Sequence, residues 1–97
     1  MIEKAEAIAC IDTVRKAYEM MLEVDKRVET CGVNAYTGCE WHIYKTEDFD
    51  HIAELFNAIV VTSPGKRTDR KSCVIRNVTL FTLIPKPKEV DDLESEL

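Results

Sequence analysis

Apolar residues recur every three or four positions through the first third of the chain, the spacing of one helical face. This pattern predicts a long amphipathic helix over residues 2–31, with Gly32 placed to cap its end in a left-handed conformation. Thirty helical residues would span about 45 Å, more than the width of a domain of this size. Its first turns are therefore expected to fray or to project. The apolar positions are Ala7, Ile11, Val14, Tyr18, Met21, Leu22 and Val28.

The next segment alternates in the manner of a β-hairpin. We predict strands over Val33–Tyr36 and Glu40–Tyr44, joined by a turn at residues 37–39 in which Gly38 supplies a positive φ. Strand alternation then directs Trp41 and Ile43 toward the core, with His42 and Tyr44 on the other face.

A second helix is predicted from Thr46 to Asn57. Thr46 is a suitable N-cap, and acidic residues fill the first turn, where the helix dipole favours negative charge. Its buried stripe is predicted to be Phe49, Ile52, Ala53 and Phe56.

Three strands are predicted in the remainder. The first is the β-branched run 58–62, and the other two, 72–75 and 78–84, form a hairpin around Arg76-Asn77. The order α-β-β-α-β-β-β favours an α+β fold with an antiparallel sheet of about five strands and both helices on one face. Residues 1–88 are expected to form one domain, and residues 89–97 an acidic mobile tail.

Charge is unevenly distributed along these 97 residues, whose net charge is −5. Residues 63–76 hold five basic side chains against one acidic side chain, whereas the segments on either side are acidic. A mostly acidic protein is repelled by nucleic acids and anionic membranes and is attracted to basic partners. Direct nucleic-acid binding is therefore disfavoured, although the basic segment with Tyr36, Trp41 or Tyr44 as stacking residues offers that alternative.

The N-terminus lacks the apolar segment of a signal peptide, and no run of residues is long enough to span a bilayer. We therefore expect a cytoplasmic protein whose four cysteines are free thiols.

Candidate metal and phosphate sites depart from the known motifs. Cys31, Cys39 and His42 have wider spacing than structural zinc sites, in which cysteines come in close pairs. The segment 63–68 resembles a phosphate-binding loop, but its first glycine is missing and Arg67 occupies the Ser/Thr position. Neither a metal nor a cofactor is predicted.

No catalytic residue is predicted, because no motif pairs a nucleophile with a base. A small enzyme remains an alternative, and it would require His42 or His51 to share a cavity with a cysteine or a carboxylate.

Two sets of charged residues are candidates for binding. Lys66, Arg67, Arg70 and Lys71 could hold a phosphate, a nucleotide or an acidic patch. The carboxylates Asp12, Glu19 and Glu23 of the first helix could contact a basic groove on another protein. In both cases the alternative is an ordinary solvated surface.

Part of the chain resembles a group of phage proteins. The matching segments are residues 44–56, which read Tyr-Lys-Thr-Glu-Asp-Phe and, after two residues, Ile-Ala-Glu-Leu-Phe, together with Lys71-Ser72 and residues 77–83. This arrangement, over residues 33–84, resembles small uncharacterised proteins encoded by bacteriophages and prophages of Gram-positive hosts. The resemblance implies no catalytic residue. It implies a protein that binds host proteins, as do the small phage proteins that block defence systems such as CRISPR nucleases.

The leading hypothesis is therefore a small acidic binding protein that inhibits a host defence protein by direct contact. The alternatives are an oligomer that sequesters a small anion or nucleotide through the basic segment, and the small enzyme described above. Separately, the apolar positions Ile2, Ile8 and Ile11 predict a homodimer formed through the first helix.

Overall fold

The computed structural model describes residues 1–35 and 38–87 of the chain. This part of the chain contains two helices and five strands. The predicted order and the α+β class are confirmed. Residues 36–37 of the predicted hairpin and the predicted tail lie outside the described residues. The elements are α1 (Lys4–Asp25), β1 (Thr30–Asn34), β2 (Glu40–Ile43), α2 (Thr46–Leu55), β3 (Val61–Ser63), β4 (Thr68–Ile75) and β5 (Val78–Pro85).

The five strands form one mixed sheet in the order β1-β2-β5-β4-β3. The prediction of an all-antiparallel sheet is wrong at one position, because β5 inserts beside β2 and runs parallel to it, pairing Trp41 with Leu80. The cause is the path of the chain. After β2, α2 carries it to the far edge of the sheet, and the antiparallel strands β3, β4 and β5 then lead back toward the middle.

The core lies between α2 and the face of the sheet that it covers, here called the inner face. Ile43 and Phe49 are 0% exposed, and they pack with Ala53 of α2, Cys73 of β4 and Leu80 of β5. Trp41 also packs against this cluster, so its predicted inward orientation and that of Ile43 are confirmed. Burial of side chains of this size contributes about 1.5–3 kcal/mol each.

The first helix is shorter than predicted and stands apart from the core. It spans Lys4–Asp25, with no residue buried. Where the chain leaves the helix, the Asp25 carboxylate accepts a hydrogen bond from the Thr30 amide at 2.8 Å. The prediction that Gly32 caps the helix is therefore wrong, since Gly32 pairs with His42 in the β1–β2 ladder. The prediction that both helices cover one face holds only for α2, which alone packs extensively on the sheet.

Several other boundaries differ from their predictions: β1 begins at Thr30 instead of Val33, and β4 begins at Thr68 instead of Ser72. Lys45, not Thr46, is the N-cap of α2. The third strand begins at Val61 instead of Ala58, because Asn57 takes a left-handed φ of 48° and the Ala58 amide donates to the Ala53 carbonyl at 2.9 Å. The predicted turn at Arg76-Asn77 is confirmed, with positive φ at both residues, as in the favoured two-residue hairpin turns.

Thr82 provides a test of the core. Its side chain is fully buried on the inner face, and its hydroxyl has no hydrogen-bond partner among the described residues. An unsatisfied buried hydroxyl costs about 1–3 kcal/mol, so we expect Thr82→Val to raise the free energy of unfolding by about 1 kcal/mol. Urea unfolding measures this change. Thr79→Val on the half-exposed opposite face is the control, expected within about 0.5 kcal/mol of wild type. A Thr82→Val variant less stable than wild type would contradict the assignment.

Candidate functional site

A row of exposed apolar side chains runs along one side of α1. Ile11, Val14 and Tyr18 are 65%, 68% and 63% exposed, and Met21 continues the row at half exposure. Their spacing alternates between three and four residues, which places them within about 80° of one another on the helix. These four residues are called the helix face. An apolar row of this kind is normally covered by another element.

The helix face continues onto the uncovered part of the inner sheet face. A cleft of about 300 Å³ lies where the end of α1 meets the sheet, and no polar surface lines it. Trp41 forms part of its wall and is held there by an indole N–H that donates to the Thr30 hydroxyl at 2.9 Å. The helix face and this cleft form one apolar surface at the β1 side of the sheet. The cleft is lined by Met21, Val24, Val33, Cys39, Trp41 and Val78.

The three predicted partner-binding acids lie together on α1. Asp12, Glu19 and Glu23 fall within about 40° of one another around the helix, roughly 140° from the centre of the helix face. All three are exposed, and Glu23 pairs with Lys26 at 2.9 Å. They are called the acidic flank. The helix therefore presents an apolar side and a carboxylate side that point in different directions.

The four predicted anion-binding residues do not converge on one point. Lys66 and Arg67 are exposed in the connection between β3 and β4, whereas Arg70 and Lys71 belong to β4 and, as consecutive strand residues, project from opposite faces. The predicted basic loop is thus partly strand. Lys71 pairs with Asp50 of α2 at 2.5 Å, which ties the helix to the sheet.

The residues after Pro64 form a tight turn rather than a phosphate cradle. A Cβ at Gly65 would collide with the Thr68 carbonyl, so this position requires glycine for its own backbone packing. The Asp69 carboxylate accepts the Gly65 amide at 3.4 Å and lies 3.6 Å from the Lys86 ammonium. A carboxylate therefore occupies the turn where an anion would have to bind.

A cluster that the sequence did not predict lies on the outer face of the sheet. The His42 imidazole stacks on the Phe81 ring with centroids 4.5 Å apart, and the Arg70 guanidinium lies 4.0 Å from the same ring centroid. Arg70 also donates to the Glu40 carboxylate at 3.0 Å. Residues from three strands meet here only because β5 lies between β2 and β4. Strand alternation placed His42 outward, but no local pattern identified its neighbours.

His42 titrates in an unusual setting. Partial burial of the imidazole lowers the pKa of His42 below its ordinary value, and the positive charge of Arg70 lowers it further. The ring also borders a cleft of about 200 Å³ together with Cys31 and Glu40. Within the described part of the chain, no hydrogen bond links His42 to Cys31, and Glu40 is engaged by Arg70. His51 is exposed on α2, which covers the inner face.

The cysteines are distributed over separate places. Cys10, Cys31 and Cys39 are exposed, whereas Cys73 is in the core, where burial raises the pKa of its thiol and keeps it protonated. Cys39 lines the cleft beside Trp41 on the inner face, while His42 lies on the outer face. No group of three or more His, Cys, Asp or Glu side chains in residues 1–35 and 38–87 is arranged to hold a metal ion.

Comparison with known proteins identified no relatives. No family model, no curated protein and no solved structure matches the chain. Neither α1 nor α2 combines the length and the apolar character needed to cross a membrane.

The pKa of His42 predicts a pH dependence of stability. Because folding lowers this pKa, the folded state binds fewer protons than the unfolded chain, and stability falls as pH drops below about 6.5. We expect His42→Phe, which retains a ring against Phe81, to flatten the loss of stability between about pH 7 and pH 5.5. Urea unfolding across this range measures the slope. His51→Phe is the matched control and should keep the wild-type slope, and an unchanged slope in His42→Phe would contradict the assignment.

Proposed function

We propose that the protein is a small protein-binding module that recognises its partner through the helix face of α1. The observation that carries this proposal is a 22-residue helix with no buried residue, along which Ile11, Val14 and Tyr18 are more than 60% exposed. Helices in proteins draw most of their stability from packing of an apolar face. In the described residues that packing is missing from α1, and a partner protein would supply it.

The energetic argument rests on the same side chains. Full burial of a valine, an isoleucine or a comparable residue contributes about 1.5–3 kcal/mol. A helix of 22 residues is about 33 Å long. The helix face and the adjoining cleft together form an elongated apolar surface to which a partner protein could bind. Recognition of an amphipathic helix in a groove of a partner is a common binding mode.

Charge narrows the class of partner. The acidic flank, Asp12, Glu19 and Glu23, would stay outside a complex centred on the helix face, because it lies about 140° around the helix, but its negative field would accelerate association with partners of opposite sign. We therefore propose a host protein with an apolar groove and a net positive charge, such as a nuclease or another nucleic-acid-binding defence protein. Inhibition by occupying that groove is the function that fits this geometry.

A second copy of the chain is an alternative occupant of the same surface. The alternation of three and four residues between Ala7, Ile11, Val14, Tyr18 and Met21 is the seam spacing of paired helices. In this candidate, two α1 helices bury their faces against each other. Homodimerisation and partner binding then use one surface and are distinguished by experiment.

Anion sequestration receives less support from the geometry. Arg70 and Lys71 each pair with a carboxylate and point to opposite sides of the sheet, which leaves Lys66 and Arg67 as the exposed pair of the four candidate cations. Calorimetry with nucleotides and inorganic phosphate tests this alternative.

The binding proposal is tested by capture from a bacterial host lysate. Wild-type protein should retain a stoichiometric protein partner, and Val14→Glu should lose it, because a carboxylate at the centre of the interface would be buried unpaired. Ala9→Glu, on the opposite side of α1, is the matched control and should retain the partner. Reversal of Glu19 and Glu23 to lysine should weaken retention about tenfold at low salt. Retention of the same partner by Val14→Glu would contradict the proposal.

The homodimer is tested by sedimentation of purified protein at high micromolar concentration. If a second copy covers the helix face, wild type and Ala9→Glu sediment as dimers and Val14→Glu as a monomer, with circular dichroism showing that each remains folded. A monomeric wild type rules out the homodimer and leaves the helix face for another protein.

A further inference from the structure

The edge of the sheet farthest from α1 contains a gap in strand pairing. The pairing of β3 with β4 runs from the pair of Ser63 with Arg70 to the pair of Val61 with Ser72. Strand β4 continues beyond it to Ile75. The residues before Val61 cannot extend the pairing, because the left-handed Asn57 and the hydrogen bond from the Ala58 amide to the Ala53 carbonyl hold them near the end of α2. Among residues 1–35 and 38–87, the last part of β4 therefore has no paired strand on this side.

The free edge presents strand backbone groups. Ile75 and Val78 flank the two-residue turn and form the closing pair of the β4–β5 hairpin, so the backbone of Ile75 faces β5. Backbone groups alternate in direction along a strand, and the N–H and C=O of Val74 thus point away from β5 toward the gap. An unpaired strand edge of this kind is a template for another strand.

A groove of about 580 Å³ occupies this gap. Exposed apolar side chains border it, among them Ile59 at 85% and Val74 at 66% exposure, with Phe56 and Val61 beside them. Arg76 is the only charged residue that lines it, and this guanidinium forms no ion pair in the described part of the chain. These five residues define the β4 groove: Phe56, Ile59, Val61, Val74 and Arg76.

We propose that the β4 groove binds an extended peptide segment of a partner protein, which adds as a strand to the edge of β4. Backbone hydrogen bonds to Val74 would supply affinity, and alternate apolar side chains of the peptide would contact Ile59 and Val74. The charge of Arg76 selects a peptide with a carboxylate at the end of the groove nearest the hairpin turn. This site lies at the opposite edge of the sheet from the helix face, so the proposal does not depend on the function of α1.

The combination of features distinguishes a peptide from other occupants. A lipid or an apolar small molecule would contact the side chains but would leave the N–H and C=O of Val74 unused. A nucleic acid would meet one cation and a predominantly apolar wall. An extended acidic peptide uses the strand edge, the apolar border and the guanidinium together.

The experiment starts with an immobilised library of blocked heptapeptides in which Val, Ile, Leu or Phe alternates with randomised positions. We expect enrichment of Asp and Glu at one randomised position, and amide shifts in NMR spectra at Ile59, Val74 and Arg76 when the selected peptide is added to the full chain. Absence of any enriched peptide would overturn the proposal. Concentration-dependent shifts of these amides without peptide would also overturn it, because they would assign the edge to self-pairing.

Variants and modified peptides then test each contact. Val74→Glu and Ile59→Glu should weaken peptide binding at least tenfold, whereas Leu83→Glu, a matched change at an exposed position of β5, should not alter it. Arg76→Gln should remove the preference for the acidic peptide over its Gln analogue. N-methylation of alternate peptide amides should abolish binding in one register and spare it in the other. Equal binding by both methylated peptides would show that no strand is added.

Discussion

The packing of Phe49 against Ile43 fixes the position of α2, and the rest of the architecture depends on this contact. Both side chains are completely buried, and with Ala53, Cys73 and Leu80 they form the whole fully buried apolar core of the described residues. The helix that carries Phe49 has ten residues and is about 15 Å long, whereas five strands at about 4.8 Å spacing make a sheet roughly 19 Å across from the first strand to the last. A single short helix cannot cover such a surface. Apolar area therefore remains uncovered on both sides of α2.

The two clefts occur where this coverage ends. On the β1 side, Trp41 and Val78 extend the inner face beyond α2 and meet the end of α1. On the β3 side, the chain leaves α2 through Asn57 before it can complete the pairing with β4, which produces the β4 groove. Both surfaces follow from one constraint, the small size of the covering helix. A protein with so small a core has little stability to lose. Exposed apolar surface of this extent is therefore better explained by a role in binding than by chance.

Local sequence patterns predicted the two helices, the turn between β4 and β5 and the orientation of the β2 side chains, because each depends on residues close together in the chain. The Arg76-Asn77 turn and the inward placement of Trp41 and Ile43 are examples. The parallel pairing of β2 with β5 could not be predicted in this way. It joins Trp41 to Leu80, residues 39 positions apart, and it depends on where α2 delivers the chain. The His42–Phe81–Arg70 cluster was missed for the same reason.

The first helix shows a different limit of prediction. Its apolar spacing is the same whether the face is covered by its own sheet or by another molecule, so the pattern predicted a helix correctly and placed it on the sheet incorrectly. The boundary at Asp25 was also hidden, because the helix ends there without a glycine or a proline to mark it. Burial is a property of the fold, and the helical period alone does not determine it.

Ion pairs between elements change the meaning of the charge pattern. Arg70 with Glu40, Lys71 with Asp50 and Lys86 with Asp69 use much of the basic charge of the C-terminal half within the molecule. Such exposed pairs contribute little to stability, with a median of about 0–1 kcal/mol, but they reduce the cationic field that a partner would meet. Asp12 and Glu19 on α1 have no ion-pair partner in the described part of the chain, so their charges are not offset in this way. Within the basic segment 63–76, two of the five basic side chains, Arg70 and Lys71, are paired in this way, so folding reduces the charge of the segment without removing it. The surfaces left for recognition are two apolar regions, the first on the helix that also carries the acidic flank and the second beside a single guanidinium.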